Sequence, residues 1–140
     1  MDSGRRLGGM SGQGRREPGP MLEYLADPDA RTLSELIVSF ANGAGGTIVV
    51  GLDEYGRLSQ AGGDDLEPVL ERALSLCEPR FTEGDAPQWY YEDMAQGQIA
   101  TIVVRPTPYQ MSVEGREVFV RSGRTNVRLT GDLADQASAG

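Results

Sequence analysis

The chain contains neither histidine nor lysine, and it has a single cysteine. Without histidine there is no base for a Ser–His or Cys–His pair, so His-dependent triads and most zinc sites are excluded. Cys77 has no partner for an internal disulfide, which makes a reducing cytoplasm the expected compartment. It falls within the apolar pattern of a helix and reads as a buried structural thiol. No apolar run approaches the length of a membrane span, and the N-terminus lacks the apolar core of a signal peptide. No membrane contact is therefore expected.

Positive charge is also scarce. The formal net charge is −8, carried by 21 acids against 13 cations. That balance argues against an indiscriminate nucleic-acid coat, because such proteins meet phosphate with net positive charge. The distribution is uneven. Arg5, Arg6, Arg15 and Arg16 stand near the N-terminus, residues 17–100 hold sixteen acids against four arginines, and residues 101–130 turn basic again. The last of these segments carries Arg105, Arg116, Arg121, Arg124 and Arg128 against Glu114 and Glu117.

A chain of 140 residues fits one domain of ordinary size. Residues 1–20 are rich in Gly, Arg and Ser and read as a flexible basic arm. Residues 21–130 read as the folded domain and residues 131–140 as a tail. A short strand is expected in "MLEYL". A helix follows, with Asp27 as its cap, Pro28 at its first position, and Leu33, Leu36, Ile37 and Phe40 on one buried face. Asn42 and Gly43 are expected to stop it in a left-handed conformation.

"GTIVVGL" reads as a central strand covered on both faces. A turn at "DEYGR" and a short strand at "LSQ" come next. The second helix, over "DDLEPVLERALSLCEP", has Leu66, Val69, Leu70, Ala73, Leu74 and Cys77 on one side. Strand-like segments then run to residue 129, with hairpin tips at "AQGQ" and "VEGRE". The expected class is α+β, a single domain with about two helices on a mixed β-sheet, in the order βαββαββββ.

The three glycines of "NGAGG" invite a phosphate-binding reading, but a P-loop runs from strand to helix and uses a lysine. Here the order is helix, turn, strand. The turn presents no helix N-terminus to a phosphate, and a dinucleotide fingerprint fails for the same reason. Positive φ angles and close backbone approach explain these glycines more simply.

Two stretches carry a family resemblance: "IVSFANGAGGTIVVGLDEYGRL" and, about sixty residues later, "VFVRSGRTNVRLT". Together they resemble the Schlafen-type AlbA-like domain, the second AlbA family. Its members have a helix ending "AFANt-GG", a strand ending "iGvdd-G" and a late "yyvRvGs-t". Phe40, Ala41, Asn42, Gly45, Gly46, Gly51, Asp53, Gly56, Val120, Arg121 and Gly123 match those motifs, and the resemblance spans residues 21 to 130. One departure is Leu25, which stands where the family usually has a lysine after its Glu–aromatic pair.

The resemblance implies nucleic-acid binding, with DNA the expected partner, in the setting of a bacterial transcriptional regulator. No cofactor is expected. Arg116, Arg121, Arg124 and Arg128 are the candidate phosphate contacts on the late hairpin and its exit. Their alternative is a solvated face paired with Glu114 and Glu117. Tyr90, Tyr91 and Tyr109 can stack on bases or serve as half-buried sheet residues.

Some Schlafen proteins cleave RNA with a metal held by carboxylates. The resemblance suggests Glu23 and Asp53 as such ligands, with Glu17 placed poorly for the role. Asp53 also suits a simple capping function in its turn, and binding without catalysis is the expected activity. A third reading is a protein-interaction module that forms a homodimer through a sheet edge. Its acidic helix, with Asp64, Asp65, Glu67 and Glu71, would face a basic partner or solvent.

Overall fold

The computed structural model describes residues 17–53, 55, 57, 58, 66–94 and 97–129. The basic arm with Arg5, Arg6, Arg15 and Arg16, the motif residue Gly56, Asp64 and Asp65, the Ala95–Gln96 tip and the tail lie outside the described residues.

The first strand, β1, spans Leu22–Leu25, and helix α1 spans Ala30–Ala41. The cap of α1 is Asp29, which corrects the expectation of Asp27 followed by Pro28. The Asp29 carboxylate accepts from the amide and the hydroxyl of Thr32, each at 2.9 Å. A cap bonds the amide three residues on, and from Asp27 that residue would be Ala30, which offers no hydroxyl. Leu33, Ile37 and Phe40 are fully buried, as the periodicity predicts. Burial of each contributes about 1.5–3 kcal/mol.

Helix α1 does not end in a left-handed Asn. Asn42 is right-handed, with φ −79° and ψ −8°. The left-handed step comes at Gly45, with φ 84°. A Cβ there would lie 2.8 Å from the Val104 carbonyl oxygen, and one on Gly46 would lie 2.6 Å from the Phe40 ring. The glycines are thus needed for backbone conformation at Gly45 and for close packing at both positions.

Strand β2 spans Gly46–Val50 and helix α2 spans Leu66–Ser75. The latter buries Leu66, Leu70 and Ala73. Cys77, expected to extend the face of α2, instead opens β3, the two-residue strand Cys77–Glu78. After it come β4 (Gln88–Met94), β5 (Gly97–Val104), β6 (Ser112–Val113), β7 (Phe119–Ser122) and β8 (Thr125–Arg128). Leu58 makes an isolated bridge with Leu52, while Ser59 and Gln60 of the expected "LSQ" strand lie outside the described residues.

The α+β class holds, with the strands divided among three sheets. The main sheet has the order β1-β2-β5-β4, while β3 pairs with β6 and β7 with β8. Strand β1 runs parallel to β2, and the other neighbours are antiparallel. Ile48, Val50, Ala100, Ile102 and Val104 join both helices in one core. The opposite face carries Thr47, Val49, Val103 and Tyr90. Val103 is 38% exposed and Tyr90 55%. Among the described residues no helix covers that face, which corrects the expectation of a central strand buried on both sides.

Candidate functional site

The late hairpin is locked onto the body of the domain by two side chains. Asn42, at the end of α1, donates from Nδ2 to the Met111 carbonyl (2.9 Å) and the Phe119 carbonyl (2.8 Å). Its Oδ1 accepts from the Met111 amide at 2.7 Å. The motif Asn is therefore a clamp that joins the helix end to the segments leading into β6 and β7.

Arg121 is the second lock. Phe119 is buried on β7, and strand alternation puts Arg121, two residues on, on the same inward face. Its side chain is only 2% exposed. Nε donates to the Gly19 carbonyl (3.0 Å), Nη1 to Asn126 Oδ1 (2.7 Å), and Nη2 to the Leu22 carbonyl (3.2 Å) and Glu23 Oε1 (2.6 Å). The guanidinium also lies over the Phe40 ring, 5.0 Å from its centroid. Arg121 thus ties the start of β1 to the hairpin. It was expected on the phosphate-binding surface, and the structure corrects this, since its donors are committed inside the fold.

The other three hairpin arginines are exposed. Arg116 pairs with Glu114 at 3.3 Å and Arg128 with Glu117 at 2.8 Å. Both carboxylates are shared with Arg31 of α1, which also bonds Glu35 at 2.9 Å. The solvated-face alternative therefore describes Arg116 and Arg128 in this structure. Arg124, at the tip between β7 and β8, has no partner among the described residues.

The candidate carboxylates do not converge. Glu23 is held by Arg121. Asp53 caps its own turn, with Oδ1 accepting from the amides of Tyr55 (2.8 Å) and Arg57 (2.9 Å). These hydrogen bonds, foremost that from the Arg57 amide, hold the Asp53 carboxyl below its ordinary value of 3.8. Glu17 is exposed and lies before β1. Among the described residues no group of three or more His, Cys, Asp or Glu is placed to hold a metal. Cys77 is fully buried, and desolvation pushes its thiol up to about 12.

Of the tyrosines, Tyr109 donates its hydroxyl to Asp85 at 2.9 Å, and this bond raises its pKa. Tyr90 is the most exposed of the three proposed stacking residues and stands on the open sheet face. One feature was not anticipated from sequence. A cleft of about 530 Å³ opens where β1 and β2 begin and β5 ends. Pro20 and Met21 line one side, Arg105 and Pro106 the other, and Gly46 and Thr47 lie between them. These segments are distant in sequence, and only the sheet order brings them together.

A late hairpin, clamped by an Asn at a helix end and tied to the first strand by its own buried Arg, defines an α+β module. The family model described as Schlafen, AlbA_2 matches residues 21–130, and the chain belongs to that family. The structure is also similar to that of the DIP2311 protein from Corynebacterium diphtheriae, with a TM-score of 0.61 and 15% identity. That match covers 79% of this chain and 25% of the other, so the chain spans about a quarter of that protein's length. At this identity the likeness is one of fold. No curated protein matches the chain. Among the described residues, no helix is long and apolar enough to cross a membrane.

Proposed function

We propose that this domain binds nucleic acid, DNA by preference, as the recognition module of a transcriptional regulator and without catalysing a reaction. Family membership supports the nucleic-acid part of the reading. The observation that carries the surface is the contrast between Arg121 and Arg124. One is internal and makes four hydrogen bonds within the fold, while the other stands at the tip of the same hairpin with no carboxylate partner among the described residues. Arg121 sets the hairpin, and Arg124 presents a guanidinium that can take a phosphate bidentately.

Arg116 and Arg128 are auxiliary contacts in this reading. Their pairs are exposed and contribute at most about 1 kcal/mol each, so phosphate can displace the glutamates. The nuclease alternative receives no support from the geometry. Asp53 spends its carboxylate on its own turn and Glu23 spends its own on Arg121.

The test is fluorescence anisotropy of labelled DNA with wild type and Arg124→Ala across a salt series. The variant should bind more weakly on every sequence, and its log–log salt slope should be shallower by about one phosphate contact. An unchanged affinity and slope would contradict the assignment of the hairpin tip.

A further inference from the structure

We infer that the cleft at the end of the main sheet holds one unpaired nucleotide of single-stranded DNA, with the next base stacked on Tyr90. This rests on the nucleic-acid reading above and deepens it by naming the form of the ligand and the site it enters.

Sheet topology makes the slot. Because β1 and β2 are parallel and β5 is antiparallel to them, the starts of the first two and the end of the third meet at one end. The residues before β1 and those after β5 therefore stand on either side of the start of β2. Pro20 faces the opening from one side and Pro106 from the other, with Gly46 and Thr47 as the floor. The backbone beside this floor is tightly packed from behind. Gly45 packs against Val104 and Pro106, and Gly46 against Phe40, with no room for a Cβ on either.

The volume, about 530 Å³, falls in the range of small-molecule sites. Apolar residues on two sides, Pro20 and Met21 on one and Pro106 on the other, suit an aromatic base, whose faces need no hydrogen-bond partners. Arg105 supplies charge complementarity at the rim. It is exposed, and among the described residues it bonds the carbonyl of Gly84, a neutral group, with no carboxylate in an ion pair with it. A phosphate attached to the ring in the slot meets that charge.

The open sheet face continues the path. Tyr90 pairs with Thr101, and Val103, which lines the cleft, is its diagonal neighbour across β4 and β5. Diagonal side chains lie about 7–8 Å apart, roughly the step between successive nucleotides of an extended strand. Tyr90 is 55% exposed and offers a ring face to the following base. A duplex cannot use either feature, because its bases are already stacked and paired. The choice of deoxyribose is carried over from the DNA reading above. Glu17, the carboxylate among the described lining residues, offers an acceptor to bases that donate through an exocyclic amine.

The experiment measures binding of wild type, Tyr90→Ala, Tyr90→Phe, Arg105→Ala and Arg124→Ala to labelled dC12, its duplex and rC12, with thermal melts to confirm folding. Wild type should prefer dC12 to both duplex and rC12. Tyr90→Ala should lose about 5- to 100-fold on dC12 with its salt slope unchanged, while Tyr90→Phe retains binding. Arg105→Ala should lower the slope by about 0.7. If Arg124→Ala weakens binding while Tyr90→Ala and Arg105→Ala do not, the cleft assignment is overturned and the hairpin reading stands. Duplex binding as tight as dC12, or rC12 binding as tight as dC12, overturns the unpaired or the deoxyribose assignment respectively. No binding by wild type to any ligand overturns both readings.

Discussion

The Nη2 atom of Arg121 lies 2.6 Å from the Oε1 atom of Glu23, across 98 residues of chain, with the arginine side chain 2% exposed and the glutamate 23%. This pair, with three further bonds from the same guanidinium, joins the hairpin to the first strand. Arg121→Ala removes all four bonds and leaves Glu23 and two carbonyls facing a cavity. Losing one partner of a buried pair costs about 3–5 kcal/mol, and partial solvation of Glu23 puts this case near the lower end. Arg121→Lys keeps the charge but lacks the fork that reaches four acceptors, and should recover less than half of the loss. Urea denaturation midpoints of the two variants check this.

Asn42 makes its three bonds to backbone groups of Met111 and Phe119. Asn42→Ala should cost about 2–3 kcal/mol, because the partners it leaves are partly buried backbone groups. Asn42→Asp should be at least as damaging, since a carboxylate would face the two carbonyls that the amide now serves. Thermal denaturation of both variants is the measurement.

The Asp53 turn gives a pH dependence with a definite sign. Its folded carboxyl titrates below the ordinary value of 3.8. A depressed folded value means that the stabilisation is present above the unfolded value and is lost as pH falls through the folded one. The turn should therefore hold down to about pH 4 and loosen only below it. In an NMR acid titration, the amides of Tyr55 and Arg57 should move together with a midpoint under that of a free aspartate. Asp53→Asn should abolish the shared transition, and a midpoint at or above the free value would contradict the account.

Cys77 should be inert in the folded protein. Its thiol is fully buried, contacts the Ala73 carbonyl at 3.4 Å, and is pushed up to about 12 by burial. Thiol reagents at pH 8 should label it only as fast as the protein opens, and at once in denaturant. Rapid labelling of the native chain would place the sulfur at the surface.

Much of this architecture was legible in the residues. The three- and four-residue steps of Leu33, Leu36, Ile37 and Phe40 gave α1, and the β-branched run of "GTIVV" gave β2. Positive φ or close approach, expected of Gly43, Gly45 and Gly46 alike, holds at Gly45 and Gly46, whereas Gly43 has room for a Cβ and no positive φ. The cap was misplaced because "DPDA" offers two aspartates, and only the Thr32 hydroxyl decides between them. Arg121 was read as exposed because a cation in a basic hairpin resembles a solvated face. Its spacing of two from Phe119 was the signal for burial, though the carbonyls and carboxylate that receive it come from residues 19–23 and are invisible locally. The cleft was beyond reach for the same reason, being assembled from three chain segments by strand order alone.

The most direct measurement is the affinity of the purified wild-type protein for labelled single-stranded DNA as salt is raised. The account predicts binding at low salt whose logarithm falls linearly with the logarithm of salt concentration, by about 0.7 per phosphate contact. Absence of binding at the lowest salt, or an affinity that does not respond to salt, would contradict nucleic-acid recognition through these arginines.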